Sequence, residues 1–469
     1  MLFSSTVFIY LFLPLVLIGY YGIFRKSRKA QNVFLLIASL FFYAWGEPGF
    51  VLVMMASIFA NWVFALLVCR AKKSGRTGIA RAVVALACVY NLSFLFVFKY
   101  LNFATSIIAK AYPTALITKI ALPIGISFFT FQAMSYVLDV YRDRGSVQKN
   151  ILNVGLYISF FPQLIAGPIV RYETVADEIN NRKENTEDFF SGFCRFVTGL
   201  AKKVLLANSF ALLADKVFYF STGGGITAPV AWLGAIGYTL QIFFDFSGYS
   251  DMAIGLGKMF GFHFLENFNY PYISKSITEF WRRWHISLGT WFRDYVYFPL
   301  GGSRVNSKLR LVFNLFVVWL LTGIWHGADW TFIVWGLMYF VLIALEKLIG
   351  IRSPKNKLQS VICHIYTMFF VIMGWVIFRA DDMPRAMLYI SQMFDFSEGR
   401  FFGEYFSRYA VMLAVGIFAS LPLARRWGER LANVKPGKVL LGIWIVLLFV
   451  LSVASLLGSS YNPFIYFNF

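Results

Sequence analysis

Charged residues are scarce in this chain, and their scarcity argues against a water-soluble globular protein. Only 14% of the 469 residues are Asp, Glu, Lys or Arg, whereas 59% are hydrophobic. Soluble domains carry roughly 25% charged residues, and they have too little interior to hide so many apolar side chains. We therefore expect lipid to be the main solvent, with many crossings of a membrane.

The charges that are present are mostly positive, with 43 Lys and Arg against 23 Asp and Glu. A basic balance of this size raises the question of a nucleic-acid partner. The basic residues stand in short clusters between apolar runs, however, as they do in the cytoplasmic loops of membrane proteins. We therefore expect the lipid bilayer, and no nucleic acid, as the partner of these charges.

Cysteine and histidine are rare too, with four of each. The cysteines are scattered at positions 69, 88, 194 and 363, each in or beside an apolar run, which predicts buried free thiols. Histidine pairs at zinc-binding spacing and phosphate-binding glycine loops are absent from the sequence. We expect no metal site and no tightly bound cofactor.

The amino terminus has no basic residue before its first apolar run, and the cluster 25–29 follows that run. A cleaved signal peptide has the opposite order. The first segment is therefore expected to be a retained helix that starts outside the cytoplasm.

Apolar runs of spanning length recur along the chain. They lie near 5–24, 31–46, 49–69, 82–98, 120–141, 192–213, 229–260, 311–346, 358–378, 405–424 and 438–457. The run 311–346 is too long for one crossing, and Gly327-Ala328-Asp329 predicts a break into two helices. The short run 31–46 is expected to be tilted or only partly spanning. Neither an internal repeat nor a low-complexity region divides the chain, so one domain is expected over 1–469.

Basic clusters indicate the orientation of these helices. The segments 25–29, 70–81, 347–357 and 425–438 are rich in Lys and Arg, and counting helices between them places all four in the cytoplasm. The loop 379–404 has three Arg against five acids and falls outside by the same count. Both chain ends are then expected on the extracytoplasmic side of a bacterial inner membrane.

The middle of the chain, 142–310, does not have the pattern of simple spans. Pro162, Gly167 and Pro168 interrupt the apolar stretch 151–170, and 277–298 mixes arginines with aromatic residues. Irregular backbone is tolerated at membrane depth where protein or a water-filled cavity covers it. We expect re-entrant or interfacial helices around a central cavity.

His326 is the strongest candidate for chemistry because it lies deep in an apolar run, where polar groups are costly. Burial keeps an imidazole neutral, and a neutral imidazole can take the proton of an attacking hydroxyl. A core histidine bonded to a carbonyl group is the alternative interpretation, and the spacing alone does not separate the two.

His285 lies 41 residues earlier, between Arg282-Arg283 and a further apolar stretch. Guanidinium groups match phosphates, so Arg282 and Arg283 are candidates for contacting a phosphate-bearing donor at the cytoplasmic face. Alternatively, arginine and tryptophan side chains anchor an interfacial helix here.

Polar residues also form a stripe inside the apolar segment 229–260. The stripe consists of Asp245, Ser247, Tyr249, Ser250 and Asp251. Acids in a spanning helix need partners or a cavity. A tunnel wall, shared with Trp325, is one interpretation, and buried structural hydrogen bonding is the other.

Five stretches together resemble the membrane-bound O-acyltransferase superfamily, and specifically its bacterial alginate O-acetyltransferase branch. They are FFPQLIAGPI at 160–169, FDFSGYSD at 244–251, FWRRWHISL at 280–288, DYVYFPLGGSR at 294–304 and TGIWHG at 322–327. They cover the central half of the chain in the order found in that family, which makes the match specific.

The resemblance implies an all-α polytopic membrane fold, in which a ring of tilted helices surrounds a thin core with a central tunnel. It implies that His326 and His285 correspond to the two histidines of the family. It further implies a cytoplasmic thioester donor, acetyl-CoA or an acyl carrier protein, and a polysaccharide acceptor such as alginate outside. A hydrolase-like extracytoplasmic acetyltransferase is the partner that such systems use to complete the reaction.

The aromatic ending 461–469 is similar to that of a small membrane protein serving the related teichoic-acid D-alanylation transferase. One hypothesis is that Tyr466 takes the acyl group on its phenol and passes it outward, which would divide one transfer into two. An aromatic belt at the membrane surface is the alternative.

Two other functional classes compete with the enzyme: a transporter or flippase for a lipid-linked sugar, and a non-catalytic scaffold of a polysaccharide export complex. Transporters usually show repeated halves, which this sequence lacks. Both alternatives predict that function survives the loss of the His326 imidazole.

Overall fold

The structure is a computed structural model, and its regular elements are helices in the part of the chain that it describes. The described residues are 1–112, 114, 116–223, 225–350, 354, 356–397, 402–459 and 461–465. Within them, one isolated antiparallel bridge between Phe268 and Trp284 is the only strand-like pairing. The all-α class is therefore confirmed.

Contacts between residues divide the chain into two compact units. The N-terminal unit comprises 1–196 and 249–265, and the C-terminal unit comprises 197–248 and 266–469. Two long helices, Thr186–Ser221 and Ala228–Met259, contribute residues to both units. The single domain over 1–469 stays a prediction.

Helices of very different length build the N-terminal unit. They are Phe8–Ile23 with π-helical turns at both ends, Arg28–Ala44, Val51–Lys73, Thr77–Ala111 with a π-helical stretch at Phe96–Tyr100, Ile126–Tyr141, Ile151–Ser159, Phe161–Leu164, Tyr172–Val175, Glu178–Asn181 and the first part of Thr186–Ala201. The four pieces between 151 and 181 are short, as expected for a region without simple spans.

The C-terminal unit continues Thr186–Ser221 through the π-helical stretch Lys202–Ala207 and Asn208–Ser221, and it holds most of Ala228–Met259. Its other helices are Pro271–Ile273 (3₁₀), Ile277–Arg283, Ile286–Phe292, Arg293–Tyr297 (π), Lys308–His326, Trp330–Ile349, Lys357–Arg379, Met383–Gln392, Phe402–Ser420, Leu423–Ala432 and Lys435–Gly458. The segment 277–298 thus consists of short helices, which agrees with the expected irregular middle.

Seven helices in the described part of the chain are long and apolar enough to cross a membrane. They are Val51–Lys73, Thr77–Ala111, Thr186–Ser221, Lys308–His326, Trp330–Ile349, Lys357–Arg379 and Lys435–Gly458. An eighth is formed if Phe402–Ser420 and Leu423–Ala432, bent by 66°, count as one span. The polytopic membrane class is confirmed.

Two boundaries expected from the sequence are wrong. The run 120–141 becomes helical only at Ile126, because Pro123 restricts the backbone before it and Gly125 adopts the left-handed φ of +75°. A Cβ at Gly125 would lie 2.8 Å from the carbonyl oxygen of Leu164, so the chain needs glycine here for close packing as well. The basic segment 425–438, expected as a loop, is helical over Leu423–Ala432.

A helical hairpin carries His326. The break expected at Gly327-Ala328-Asp329 is confirmed, since one helix ends at His326 and the Asp329 side chain caps the next by accepting a hydrogen bond from the Thr331 N–H at 3.0 Å. The two helices pack closely at Gly323 and Gly336, where a Cβ would lie 2.5 Å and 2.6 Å from backbone oxygens of the opposite helix. Small residues of this kind let helices approach each other in membranes, and here they bring the helix that ends at His326 close to its neighbour.

The same hairpin also holds the helix that precedes His285. The buried carboxylate of Glu346 accepts hydrogen bonds from the Ile277 N–H at 2.6 Å, the Thr278 N–H at 2.9 Å and the Thr278 hydroxyl at 2.6 Å. The first N–H groups of a helix have no partner within the helix. Glu346 supplies that partner for Ile277–Arg283 and favours the helix dipole.

Replacing Glu346 by Leu should lower the free energy of unfolding by about 1–3 kcal/mol, because buried N–H groups lose their acceptor. The matched control is Glu429→Leu, which removes an exposed carboxylate paired with Arg425 and should change stability by no more than about 0.5 kcal/mol. Unfolding in mixed detergent micelles measures both. Equal effects of the two substitutions would contradict the capping role.

Candidate active site

His326 is buried in an aromatic environment within the C-terminal unit, with 5% of its surface exposed. Its ring contacts those of Trp325, Trp335 and Phe378 edge to face, at centroid distances of 4.9, 5.0 and 5.2 Å. The setting is therefore apolar, as the sequence predicts, and the ring is held between large, rigid neighbours.

A narrow cavity lies beside His326, with room for about one water molecule. Its other lining residues are Ile242, Phe246, Trp284, Trp335, Trp375, Phe378 and Ile465. The lining is almost wholly aromatic and aliphatic, and His326 is its titratable member. The continuous tunnel expected from the resemblance stays a prediction.

His285 is buried as well and has an uncommon backbone conformation. Its φ of +47° and ψ of 52° lie in the left-handed region, directly before the helix Ile286–Phe292. The ring lies outside the spanning helices, and burial lowers its pKa to about 3, so the ring is neutral at physiological pH. Its Nδ1 lies 3.1 Å from the Asn267 side-chain oxygen, and its buried Nε2 has no hydrogen-bond partner among the described residues.

Trp325 connects the two histidines. Its ring centroid lies 5.9 Å from that of His285 and 4.9 Å from that of His326. Phe246 lines the cavity and contacts the His285 ring at 4.7 Å. The structure thus brings together three of the residues singled out from the sequence, His326, His285 and Trp325.

Asp245 has a different kind of environment from the histidines. Its carboxylate forms an ion pair with Lys203 at 2.7 Å, and both side chains are almost completely buried. It also accepts a hydrogen bond from the backbone N–H of Ile465 at 2.9 Å. The observed partners support the structural hydrogen-bonding interpretation, and the tunnel-lining role of Asp245 stays a prediction.

The segment 461–465, here called the C-terminal tail, is held by several polar residues of the same unit. Lys203 donates to the carbonyl oxygen of Pro463, and Asn208 donates to the tail at 3.3–3.4 Å. The Tyr461 hydroxyl donates to Asp215, which also pairs with Arg379. These contacts bring Ile465 to the wall of the His326 cavity. Lys203 was not predicted as a site residue, although a lysine inside an apolar run is a signal for function.

The other residues of the polar stripe are divided between the two units, and their tunnel-lining role stays a prediction. Ser247 is buried in the C-terminal unit. Tyr249 belongs to the N-terminal unit and stacks on Phe3 with ring centroids 4.5 Å apart. Asp251, in the same unit, pairs with Arg195 at 2.8 Å.

The two arginines before His285 differ in their surroundings. Arg282 is exposed, whereas Arg283 pairs with Glu279 at 2.9 Å and donates to the Asn269 carbonyl at 3.1 Å. Arg282 is thus available for a phosphate group, and Arg283 is engaged in holding its own helix. Tyr466 lies outside the described residues.

All four cysteines are partly buried and outside any disulfide. Across the described ranges, no group of three or more His, Cys, Asp and Glu side chains could hold a metal ion.

Comparison of the sequence with known proteins identifies the family. The family model of membrane-bound O-acyltransferases matches residues 88–383. The probable alginate O-acetylase AlgI of Pseudomonas putida is 39% identical over 497 aligned positions that cover both chains completely. AlgI of Pseudomonas aeruginosa is 43% identical over 401 residues, which cover 84% of this chain and 75% of that protein. The peptidoglycan O-acetyltransferase of Helicobacter pylori is 34% identical over 427 residues, which cover 84% of this chain and 80% of that protein. The chain therefore belongs to the membrane-bound O-acyltransferase family and is an O-acyltransferase.

Proposed function

We propose that this enzyme moves acetyl groups from a cytoplasmic thioester to hydroxyl groups of an extracytoplasmic polysaccharide such as alginate. The observation that carries the proposal is the buried His326 ring beside a narrow apolar cavity. Relatives named as alginate and peptidoglycan O-acetyltransferases support the acetyl group and the class of acceptor.

The reaction is proposed to proceed in two transfers, with the Tyr466 phenol as the intermediate carrier. In the first, the phenol oxygen attacks the thioester carbonyl, a C–O bond forms, the C–S bond breaks, and the phenol proton passes by way of a histidine to sulfur. In the second, an acceptor hydroxyl attacks the carbonyl carbon of the phenyl ester, a new C–O bond forms, the acyl C–O bond to tyrosine breaks, and the proton of the hydroxyl passes to the phenol oxygen. The position of Ile465 at the cavity wall supports this relay, because Tyr466 is the next residue.

Each transfer needs a proton acceptor, and the two buried histidines are suited to these roles. We assign His326 to the acceptor hydroxyl and His285 to the thioester side. The exposed Arg282 close to His285 in the sequence favours a phosphate-bearing donor on that side. The donor is a thioester on a phosphopantetheine arm, carried by coenzyme A or by an acyl carrier protein.

The proposal includes the orientation of the enzyme in the membrane and a partner protein. Both chain ends are proposed to face the extracytoplasmic side, so that the C-terminal tail approaches the site from outside. A separate hydrolase-like acetyltransferase is proposed to collect the acetyl group there and place it on the polymer.

Substituting His326 by Gln should reduce polysaccharide acetylation by on the order of 100-fold or more, because the transfer loses its base. Ester content of the polymer, measured in cells with equal amounts of enzyme in the membrane, gives the readout. His263→Gln is the matched control, since that ring is half exposed and paired with Glu178 and Asp188. Unchanged acetylation in His326→Gln would favour the transporter or scaffold and overturn the proposal.

Labelled acetyl groups should accumulate on Tyr466 when membranes receive labelled donor without acceptor. Acetyl-CoA and an acetylated carrier protein are supplied in separate arms, and the arm that labels the enzyme identifies the donor. Peptide mapping after digestion locates the label. Tyr466→Phe should abolish labelling, whereas the exposed Tyr10→Phe should not. Full acetylation of the polymer by Tyr466→Phe would rule out the relay while leaving direct transfer at His326 intact.

Loss of the Lys203–Asp245 pair should release the C-terminal tail. Asp245→Ala alone leaves a buried lysine without its partner and should destabilise the protein by about 3–5 kcal/mol. The double substitution Lys203→Met with Asp245→Leu avoids that penalty but still removes the tail contacts. A spin label at position 462 should then become more mobile, and acetyl transfer should fall.

Asp251→Asn serves as the control for this experiment, because Asp251 lies on the same helix and pairs with Arg195 instead. A label at position 462 that stays equally immobile in the double variant would show that other contacts hold the tail.

A further inference from the structure

Asn267 contacts the turn at His285 through both its backbone and its side chain. The bridge between Phe268 and Trp284 aligns the segment 267–269 antiparallel to 283–286. The Asn269 N–H donates to the Arg283 carbonyl at 2.9 Å, and the Ile286 N–H donates to the Asn267 carbonyl at 3.0 Å. Asn267 is therefore placed opposite His285 by backbone pairing, before its side chain is considered.

The side chain of Asn267 then makes three contacts through one atom. Its Oδ1 lies 3.2 Å from the Ser287 backbone N–H, 2.9 Å from the Ser287 hydroxyl and 3.1 Å from His285 Nδ1. A backbone N–H can only donate a hydrogen bond. The atom that faces it must be the amide oxygen, so the orientation of the Asn267 amide follows from its neighbours.

An amide oxygen can only accept, and this fixes the proton on the imidazole. His285 Nδ1 must carry the hydrogen for its contact with Asn267 to be a hydrogen bond. In the neutral ring the lone pair then lies on Nε2. That atom is buried and has no hydrogen-bond partner within the described part of the chain. A base that is oriented by a third group through its other nitrogen is the arrangement of activated nucleophile sites.

We propose that Asn267 is a positioning residue that holds His285 in the tautomer whose Nε2 accepts a proton during acyl transfer. The inference rests on the proposed function of His285 as the base on the thioester side. It assigns the first transfer to Nε2, which takes the proton as the attacking oxygen bonds to the thioester carbonyl. The C–S bond breaks, and Nε2 returns the same proton to sulfur.

Asn267 also stabilises the backbone conformation at His285. A left-handed conformation at a residue other than glycine costs on the order of 1 kcal/mol or more and persists only where the surroundings hold it. The Asn267 backbone and side chain bind the N–H groups of the next two residues, Ile286 and Ser287. The direction in which the imidazole leaves the chain and the nitrogen that carries its proton are thus set by the same residue.

The test compares Asn267→Ala with Ser287→Ala in the full-length enzyme. Ser287→Ala removes a hydroxyl that donates to the same Asn267 oxygen and lies 3.5 Å from His285 Nδ1, but it leaves the 3.1 Å contact between Asn267 and His285 Nδ1 in place. ¹⁵N spectra of histidine-labelled protein in lipid report which ring nitrogen is protonated. Only four histidines contribute, and single His→Gln variants assign them.

We expect a protonated Nδ1 in the wild type and in Ser287→Ala, and a change or mixture of tautomers in Asn267→Ala. Labelling of the enzyme by the thioester donor should fall by about 100-fold in Asn267→Ala. Transfer of label already on the enzyme to an added acceptor should stay close to the wild-type rate. Unchanged His326 signals show that the fold is intact.

Two results would overturn the inference: a wild-type ring protonated at Nε2, or an unaltered tautomer in Asn267→Ala. A changed tautomer with normal labelling has a different meaning. It would retain Asn267 as the residue that sets the tautomer and would remove His285 from the proposed function.

Discussion

Lys203 and Asp245 form an ion pair that is almost completely buried, and the arrangement around His326 depends on it. Charges inside a membrane protein are costly unless they pair and use their remaining hydrogen-bonding capacity. Here that capacity is used on backbone groups, because Lys203 donates to Pro463 and Asp245 accepts from Ile465. The pair therefore binds a segment of main chain and holds it at the edge of the cavity.

The same requirement explains the other polar residues of the C-terminal unit. Glu346 binds the unpaired N–H groups of one short helix, and Asn267 binds those after His285. Each replaces the water that a loop would use in a soluble protein. Irregular backbone can then exist between spanning helices. The left-handed turn at His285 is an example.

Much of the fold and part of the candidate site could be predicted from the sequence. The hairpin around His326 was predictable because its apolar run is too long for one crossing and Gly327 and Asp329 interrupt it. The burial of His326 followed from the same run. Asn267 gave no such signal, since a single asparagine in a loop has no periodicity, and its role arises from a bridge between Phe268 and Trp284, which are 16 residues apart in the chain. The helix start at Ile126 was missed because hydrophobicity alone does not register the backbone restrictions of Pro123 and Gly125.

The attachment of the C-terminal tail to the enzyme itself has a kinetic consequence. A covalently linked segment meets its binding site at an effective concentration that depends on linker geometry and not on how much protein the cell makes. Any soluble molecule that binds to the same part of the cavity wall must compete with a tail that stays covalently attached to the enzyme. Occupancy of that wall is then independent of expression level, and exchange there is governed by how often the tail detaches.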